Sequence, residues 1–417
     1  MRFYLSNVFI LFLSIFLFAC NSKVTPAKVD NSAMQQANTL FEKKFDANLD
    51  LGDTFLPFSM ILVLDANKKI NQLKVINGEE IIKINEVTHS EDSVIFKMPL
   101  FDNEFKGVYK NDHLTGYWYN YTKSKEYNLP LIAKPVQTNP YKKPNINLNG
   151  KWQTTFKKDT ESDYSAIAEF KQKANIISGT FLTETGDYRF LSGKIKDNQF
   201  YLSAFDGAHA FHFEGELADT SIKGTFYSGN HYKADFVAFK NDEAKLRDAN
   251  DLTYLKDGYD KANFTFKNEN GDSISLSDER YQNKVVIVQI LGTWCPNCMD
   301  ESRLYANLYK QYKQQGLEIV GLAFESSKDE SKVFQNLKRY KKQMGIDYEI
   351  LWAGKASKKY AAEVLPMLNH VMSFPTSIFI DKNGNVQRIH TGFNGPATSK
   401  YNAYVTELKR FLNSLLN

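Results

Sequence analysis

Val285-Val-Ile-Val-Gln-Ile-Leu-Gly-Thr-Trp-Cys-Pro-Asn-Cys298 is the stretch on which the fold turns. Val285 to Leu291 is an almost unbroken apolar run, the pattern of a strand buried on both faces, which implies a parallel or mixed sheet. A helix is expected from about Pro296 to Gln315, so Cys295 stands where the strand hands over to the helix. A thiolate there is stabilised by unpaired backbone N–H groups and by the positive end of the helix dipole. Cys298 lies within the first turn, close enough to attack a mixed disulfide formed at Cys295. Pro296 suits the first helical position because the N–H it lacks would have been unpaired anyway.

Outward from this junction, strands and helices alternate. A strand over Leu317–Phe324, a helix from about Asp329 to Met344, a strand near Tyr348–Trp352 and a helix through Tyr360 to Leu368 follow. Thr376–Ile380 and Val386–His390 form a hairpin across Asn383-Gly384, and Thr398 to Leu416 closes the chain as a helix. Two other uses of a Cys-x-x-Cys pair compete with redox chemistry. A zinc site needs two more ligands, and the candidates His370 and His390 stand apart on either side of Pro375. A structural disulfide closing so short a loop would be strained and exposed. Neither metal nor cofactor is expected.

Trp294-Cys-Pro-Asn-Cys298 after a buried strand, with Ser373-Phe-Pro375-Thr before the hairpin, resembles the thioredoxin superfamily over about residues 263–417. Within it the sequence is similar to the membrane-tethered TlpA/ResA-like disulfide reductases. These carry one glutamate three residues after the second Cys and another just beyond the next strand, the places of Glu301 and Glu325. The resemblance implies Cys295 as nucleophile, Cys298 as resolving thiol, a cis Pro375 opposite the pair, and a Phe374 backbone that pairs with the substrate chain. A buried acid near the thiols would raise the Cys298 pKa and could accept its proton, although solvated surface carboxylates are the alternative for both glutamates. Thioredoxin's own buried Asp, six residues before the first Cys, is Gln289 here, which increases the dependence on Glu301 and Glu325. Trp294 is expected to pack beside the thiols and limit water access, with a plain core role as the alternative.

Upstream, about residues 55–239 show short alternating runs broken by Gly, Asn and Asp, read as antiparallel strands. Phe105-Lys-Gly107-Val-Tyr109 with Leu114-Thr-Gly116-Tyr-Trp118 echoes Phe213-Glu-Gly215-Glu-Leu217 with Ile222-Lys-Gly224-Thr-Phe226, so one repeated architecture, barrel-like or sandwich-like, is expected. Phe205-Asp-Gly-Ala-His209-Ala-Phe-His212-Phe213 is its one polar cluster. His209 and His212 point to opposite faces of a strand and cannot share a metal, so the segment reads as turn and surface. Lys245 to Asp260, charged and poor in apolar residues, marks a domain boundary.

At the start, Arg2 precedes the apolar run Val8–Ala19, which has the length of a signal-peptide core and is too short to span a bilayer. Leu17-Phe-Ala-Cys20 resembles the lipobox of bacterial lipoproteins, with Cys20 acylated as a membrane anchor; an ordinary secretory peptide with an incidental Cys20 is the alternative. The expected organisation is a signal peptide over 1–19, a flexible tether over 20–45, a β-rich module over 46–243 and a thioredoxin-like domain over 255–417. With 52 Lys+Arg against 48 Asp+Glu, the net charge of +4 is too small for a nucleic-acid binder.

The resulting expectation is a lipid-anchored, periplasm-facing thiol-disulfide oxidoreductase of the bacterial cell envelope. It would act on a disulfide-bearing protein client and be re-reduced by a membrane thiol donor, with the β module as spacer or client-binding surface. A peroxidase of the peroxiredoxin type is weakened because Gly292, not Thr, stands three before Cys295. A ligand-binding β lipoprotein with a redox-silent passenger domain sits poorly with the joint presence of both Cys, Pro375 and both glutamates.

Overall fold

The computed structural model describes residues 40–137, 144–218 and 220–417. The signal peptide, Cys20 and most of the tether lie outside them. The first strand, Phe41–Asp50, begins inside the expected tether: Phe45, Ala47 and Leu49 alternate inward there, and pairing with a neighbour on each side holds the strand in place.

The β-rich region forms two eight-stranded antiparallel barrels in tandem. In the first, over 41–135, each strand pairs with the next and the first pairs with the last, Leu49 opposite Leu131. One strand bends at Asn85: Glu80–Ile84 pairs with Ile70–Asn77, while Glu86–Ser90 pairs with Ser93–Lys97. The second barrel, over 150–240, closes by pairing Gly150–Phe156 with Tyr232–Lys240. Closure pairs most of the strand edges that an open sheet would expose. Each barrel holds one copy of the sequence echo, and in each the two glycines face one another across a hairpin, Gly107 with Gly116 and Gly215 with Gly224. A Cβ on Gly116 would stand 2.5 Å from the Gly107 Cα, so the strands approach too closely for a side chain.

The segment read as turn and surface is instead a plug. Phe205 enters the end of the first barrel against Phe58, Phe105 and Trp118, and its backbone exchanges hydrogen bonds with the Asn77 side chain at 2.8 and 2.9 Å. Asp206 and His212 are buried. Alternation within one barrel cannot show that its end is stoppered by the other.

The C-terminal sheet has seven strands. Val285–Leu291, buried at every position, lies between the parallel strand Leu317–Glu325 and the antiparallel strand Thr376–Ile380, which forms the hairpin with Val386–Thr391. Four helices, α1 (Pro296–Tyr312), α2 (Glu330–Met344), α3 (Lys358–Val364) and α4 (Tyr401–Leu416), cover the sheet. α1, α2 and α4 share one apolar core, and α3 packs in the other. α3 begins earlier than expected because Ser357 caps it, accepting the Tyr360 amide. The charged boundary segment is packed along this domain: the Thr391 amide donates to Ala249 and the Lys256 amide to Met367. No described helix is long and apolar enough to cross a membrane.

Candidate active site

Cys295 is the N-cap of α1, and its Sγ accepts the Cys298 amide at 3.3 Å. The same sulfur lies 3.5 Å from the Phe374 carbonyl oxygen, immediately before a cis Phe374–Pro375 peptide. Strand, helix start and hairpin entrance thus converge on one atom. The two thiols differ. Cys295 is 8% exposed and Cys298 is sealed at 0%. Burial, then the hydrogen bond its thiol makes to Cys295, pushes Cys298 well above its ordinary pKa. Cys298 therefore holds its proton at neutral pH, and Cys295 is the more accessible of the two sulfurs.

Glu301, one turn into α1, is fully buried. Gln289 Nε2 donates to Glu301 Oε2 at 2.8 Å and lies 3.4 Å from the Cys298 carbonyl oxygen. Ser377 Oγ and Tyr305 OH donate to Oε1 at 3.1 and 3.3 Å. Burial pushes this carboxyl up to about 7 despite those three donors. The place where thioredoxin keeps its acid here holds an amide that grips a carboxyl supplied by the helix. Glu325 ends its strand on the other side of the motif. The Thr293 amide donates to Oε1 at 2.8 Å and the Thr293 hydroxyl to Oε2 at 2.7 Å, while burial again raises the pKa to about 7. A cavity of about 180 Å³ is lined by Glu325 beside Thr293 and Trp294. The Trp294 indole donates to the Phe324 carbonyl at 2.8 Å and stands edge-on to the Phe374 ring at 5.8 Å. His390 contacts Asn250 and lies tilted against the Tyr404 ring, and His370 contacts Asn369, so each is engaged locally.

The barrels reach this motif. From the second barrel, the Thr185 carbonyl accepts Ser373 Oγ at 2.8 Å and the Asp187 carbonyl accepts Asn297 Nδ2 at 3.1 Å. Arg189, 2% exposed, ion-pairs with Asp300 of α1, with Glu80 of the first barrel at 2.5 Å and with Asp206 at 3.3 Å, and donates to the Pro296 carbonyl at 3.3 Å. Asp187, its carboxyl raised to about 6 by burial, receives the Gly395 amide at 2.6 Å. Phe101 of the first barrel packs in the same core as Cys295, Cys298 and Met299. Sequence reasoning missed Arg189 and its carboxylates, because nothing local distinguishes Asp187-Tyr-Arg189 from a polar turn.

Residues 258–389 match the AhpC/TSA family. Thiol-disulfide oxidoreductase ResA from Bacillus subtilis is 41% identical over 68 residues, covering 16% of this chain and 37% of that protein. ResA from Bacillus thuringiensis subsp. konkukian is 31% identical over 129 residues, covering 31% of this chain and 66% of its own length. The matched segments thus span less than two thirds of either relative. Among solved structures, a thiol:disulfide interchange protein of the thioredoxin family from Chlorobium tepidum is 22% identical, with a TM-score of 0.30, over 42% of this chain and 100% of that one. The C-terminal part of the chain is a thioredoxin-like domain of the AhpC/TSA family, homologous to the ResA/TlpA-like thiol-disulfide oxidoreductases.

Proposed function

We propose that the protein is a disulfide reductase, anchored to a bacterial membrane through acylated Cys20 and facing the periplasm. The reading rests most on one observation: a helix-capping sulfur, Cys295, set against the Phe374 carbonyl with a sealed thiol one turn further on. In the first step the Cys295 thiolate attacks one sulfur of a client disulfide. A mixed disulfide forms and the other client sulfur leaves as thiolate. Cys298 then gives up its proton, with Glu301 as acceptor, and attacks Cys295 Sγ. The client's second thiolate leaves and Cys295–Cys298 remain as a disulfide, so two electrons have passed to the client. An external dithiol, in the cell a membrane thiol donor, returns them. The anchor and compartment are supported by the Leu17-Phe-Ala-Cys20 pattern, and the client class by the homology to ResA-like enzymes.

Variants at the two sulfurs test the reading. Cys295→Ser abolishes reduction of a model disulfide, and Cys298→Ser accumulates a covalent client adduct that mass spectrometry detects. Full turnover by Cys295→Ser would end the proposal.

A further inference from the structure

Both barrels and the redox domain line a cleft of about 420 Å³ that reaches the Trp294 indole. Tyr188, Phe211 and Tyr232 give it aromatic walls. A second cavity, of about 620 Å³, shares Tyr188 and Tyr232 and reaches Met372, two residues before Phe374. Trp294 precedes Cys295 and Met372 lies two residues before Phe374, whose carbonyl meets the Cys295 sulfur, so each cavity reaches a neighbour of the redox motif. Together they suit an extended chain better than a single small disulfide.

The first cleft also holds a charge that lacks its counterpart. Lys123 Nζ, from the first barrel, lies 2.8 Å from Nε2 and 3.0 Å from Nδ1 of His231, from the second. Its other contact is the face of the Tyr127 ring, 4.9 Å away. Among the described residues, no carboxylate ion-pairs with Lys123 or His231. Desolvation by the surrounding barrels lowers Lys123 to about 8, and His231 is lowered by burial and then by Lys123. The neutral imidazole accepts from the ammonium but carries no charge to balance it, so the Lys123 cation beside the aromatic walls is left free to attract an anion.

We infer that this cleft seats the client polypeptide next to its disulfide, with an acidic side chain received by Lys123 and His231 while a neighbouring apolar residue packs on Tyr188 and Tyr232. The inference rests on the reductase reading and adds a substrate class to it: clients whose cysteine is flanked by an acidic residue. Charge complementarity of this kind sets partner choice and encounter rate.

The test uses the full chain with a dithiol reductant and two synthetic peptides. They differ only in Glu or Lys near a cysteine that is disulfide-linked to mercaptoethanol. The wild type is expected to favour the Glu peptide in kcat/KM by about tenfold at low salt, with the preference shrinking as salt is added. K123E/H231E inverts the ratio, and the milder K123Q/H231Q brings it close to one. Equal rates for the two peptides in the wild type, or a preference that neither double variant moves, would overturn the assignment of the cleft while leaving the reductase intact. If neither peptide is reduced in a Cys295-dependent way, the reductase reading fails and the inference fails with it.

Discussion

Glu301 and Glu325 are both raised to about 7, yet their surroundings give them different work. Glu325 is tied by the two donors of Thr293, the residue before Trp294, and so braces the loop leading into Cys295. Glu301 shares Gln289 with the Cys298 backbone, and the proposed mechanism makes it the acceptor of the resolving thiol's proton. Only its ionised form accepts a proton, so decay of the mixed disulfide is expected to accelerate as pH rises through about 7. Glu301→Gln removes that limb and slows the single-turnover decay by about 100-fold; an unchanged profile would deny Glu301 the role. The same shift is a statement about stability. A carboxyl raised in the folded state contributes stability that is present below its unfolded pKa and lost as pH rises through about 7. Relative to the wild type, Glu301→Gln should therefore gain about 3 kcal/mol between pH 5 and pH 8, whatever its constant offset, as read from urea denaturation at the two values.

At the scale of elements, the start of α1 is held by a piece of another barrel. The 185–189 segment lies against Ser373, Asn297 and Pro296, and its approach depends on Gly392, which follows the edge strand Val386–Thr391. Gly392 has φ +77°, and a Cβ there would stand 2.8 Å from the Thr185 carbonyl carbon and 3.0 Å from the Glu184 oxygen. Both obstacles are backbone, so they move only if the barrel moves. Gly392→Ala is expected to lower stability by about 2 kcal/mol, combining left-handed strain with lost interdomain packing, as a shift in the denaturation midpoint. This contact also marks where sequence reasoning stopped. The redox motif was legible because its chemistry needs a local order: buried strand, Cys, Pro, Cys, helix. The glycine echo was legible because a hairpin crowded at its crossing must lack side chains on both strands. Two barrels rather than one module were not legible, since closure rests on pairs such as Leu49 with Leu131 and Trp152 with Lys240, far apart in the chain and unmarked by any periodicity. Glu301 could be placed on the helix but not in the core, because Gln289, Ser377 and Tyr305 come from three elements.

At the scale of the whole molecule, the Arg189 side chain, from the second barrel, is tied by ion pairs to the first barrel and to α1. Its guanidinium is surrounded by Glu80, Asp206 and Asp300, with Asp187 adjacent, so acid outnumbers base in a buried site. Removing the cation leaves those carboxylates facing one another without solvent, a loss of about 3–5 kcal/mol for Arg189→Met near pH 8. The loss should shrink in acid. Asp187 and Glu80 are both raised by burial, Asp187 to about 6, so Asp187 neutralises as pH falls through that value, Glu80 takes up its proton earlier than an ordinary glutamate would, and neither then needs the arginine. Arg189→Lys, which keeps the charge but not the planar fork, should fall between the two. The consequence for function follows from the 8% exposure of Cys295: a client sulfur needs a line of approach to Sγ, and Phe101 and the 185–189 segment pack against the surrounding motif. If the charge cluster holds that cover in place, Arg189→Met raises the rate of iodoacetamide alkylation at Cys295 by about tenfold at pH 8, equivalent to about 1.4 kcal/mol of easier opening, and by less at pH 5.5 once each rate is corrected for the thiolate present. A loss of stability with no change in alkylation would show that the cluster only fastens the modules together and has no part in admitting the client.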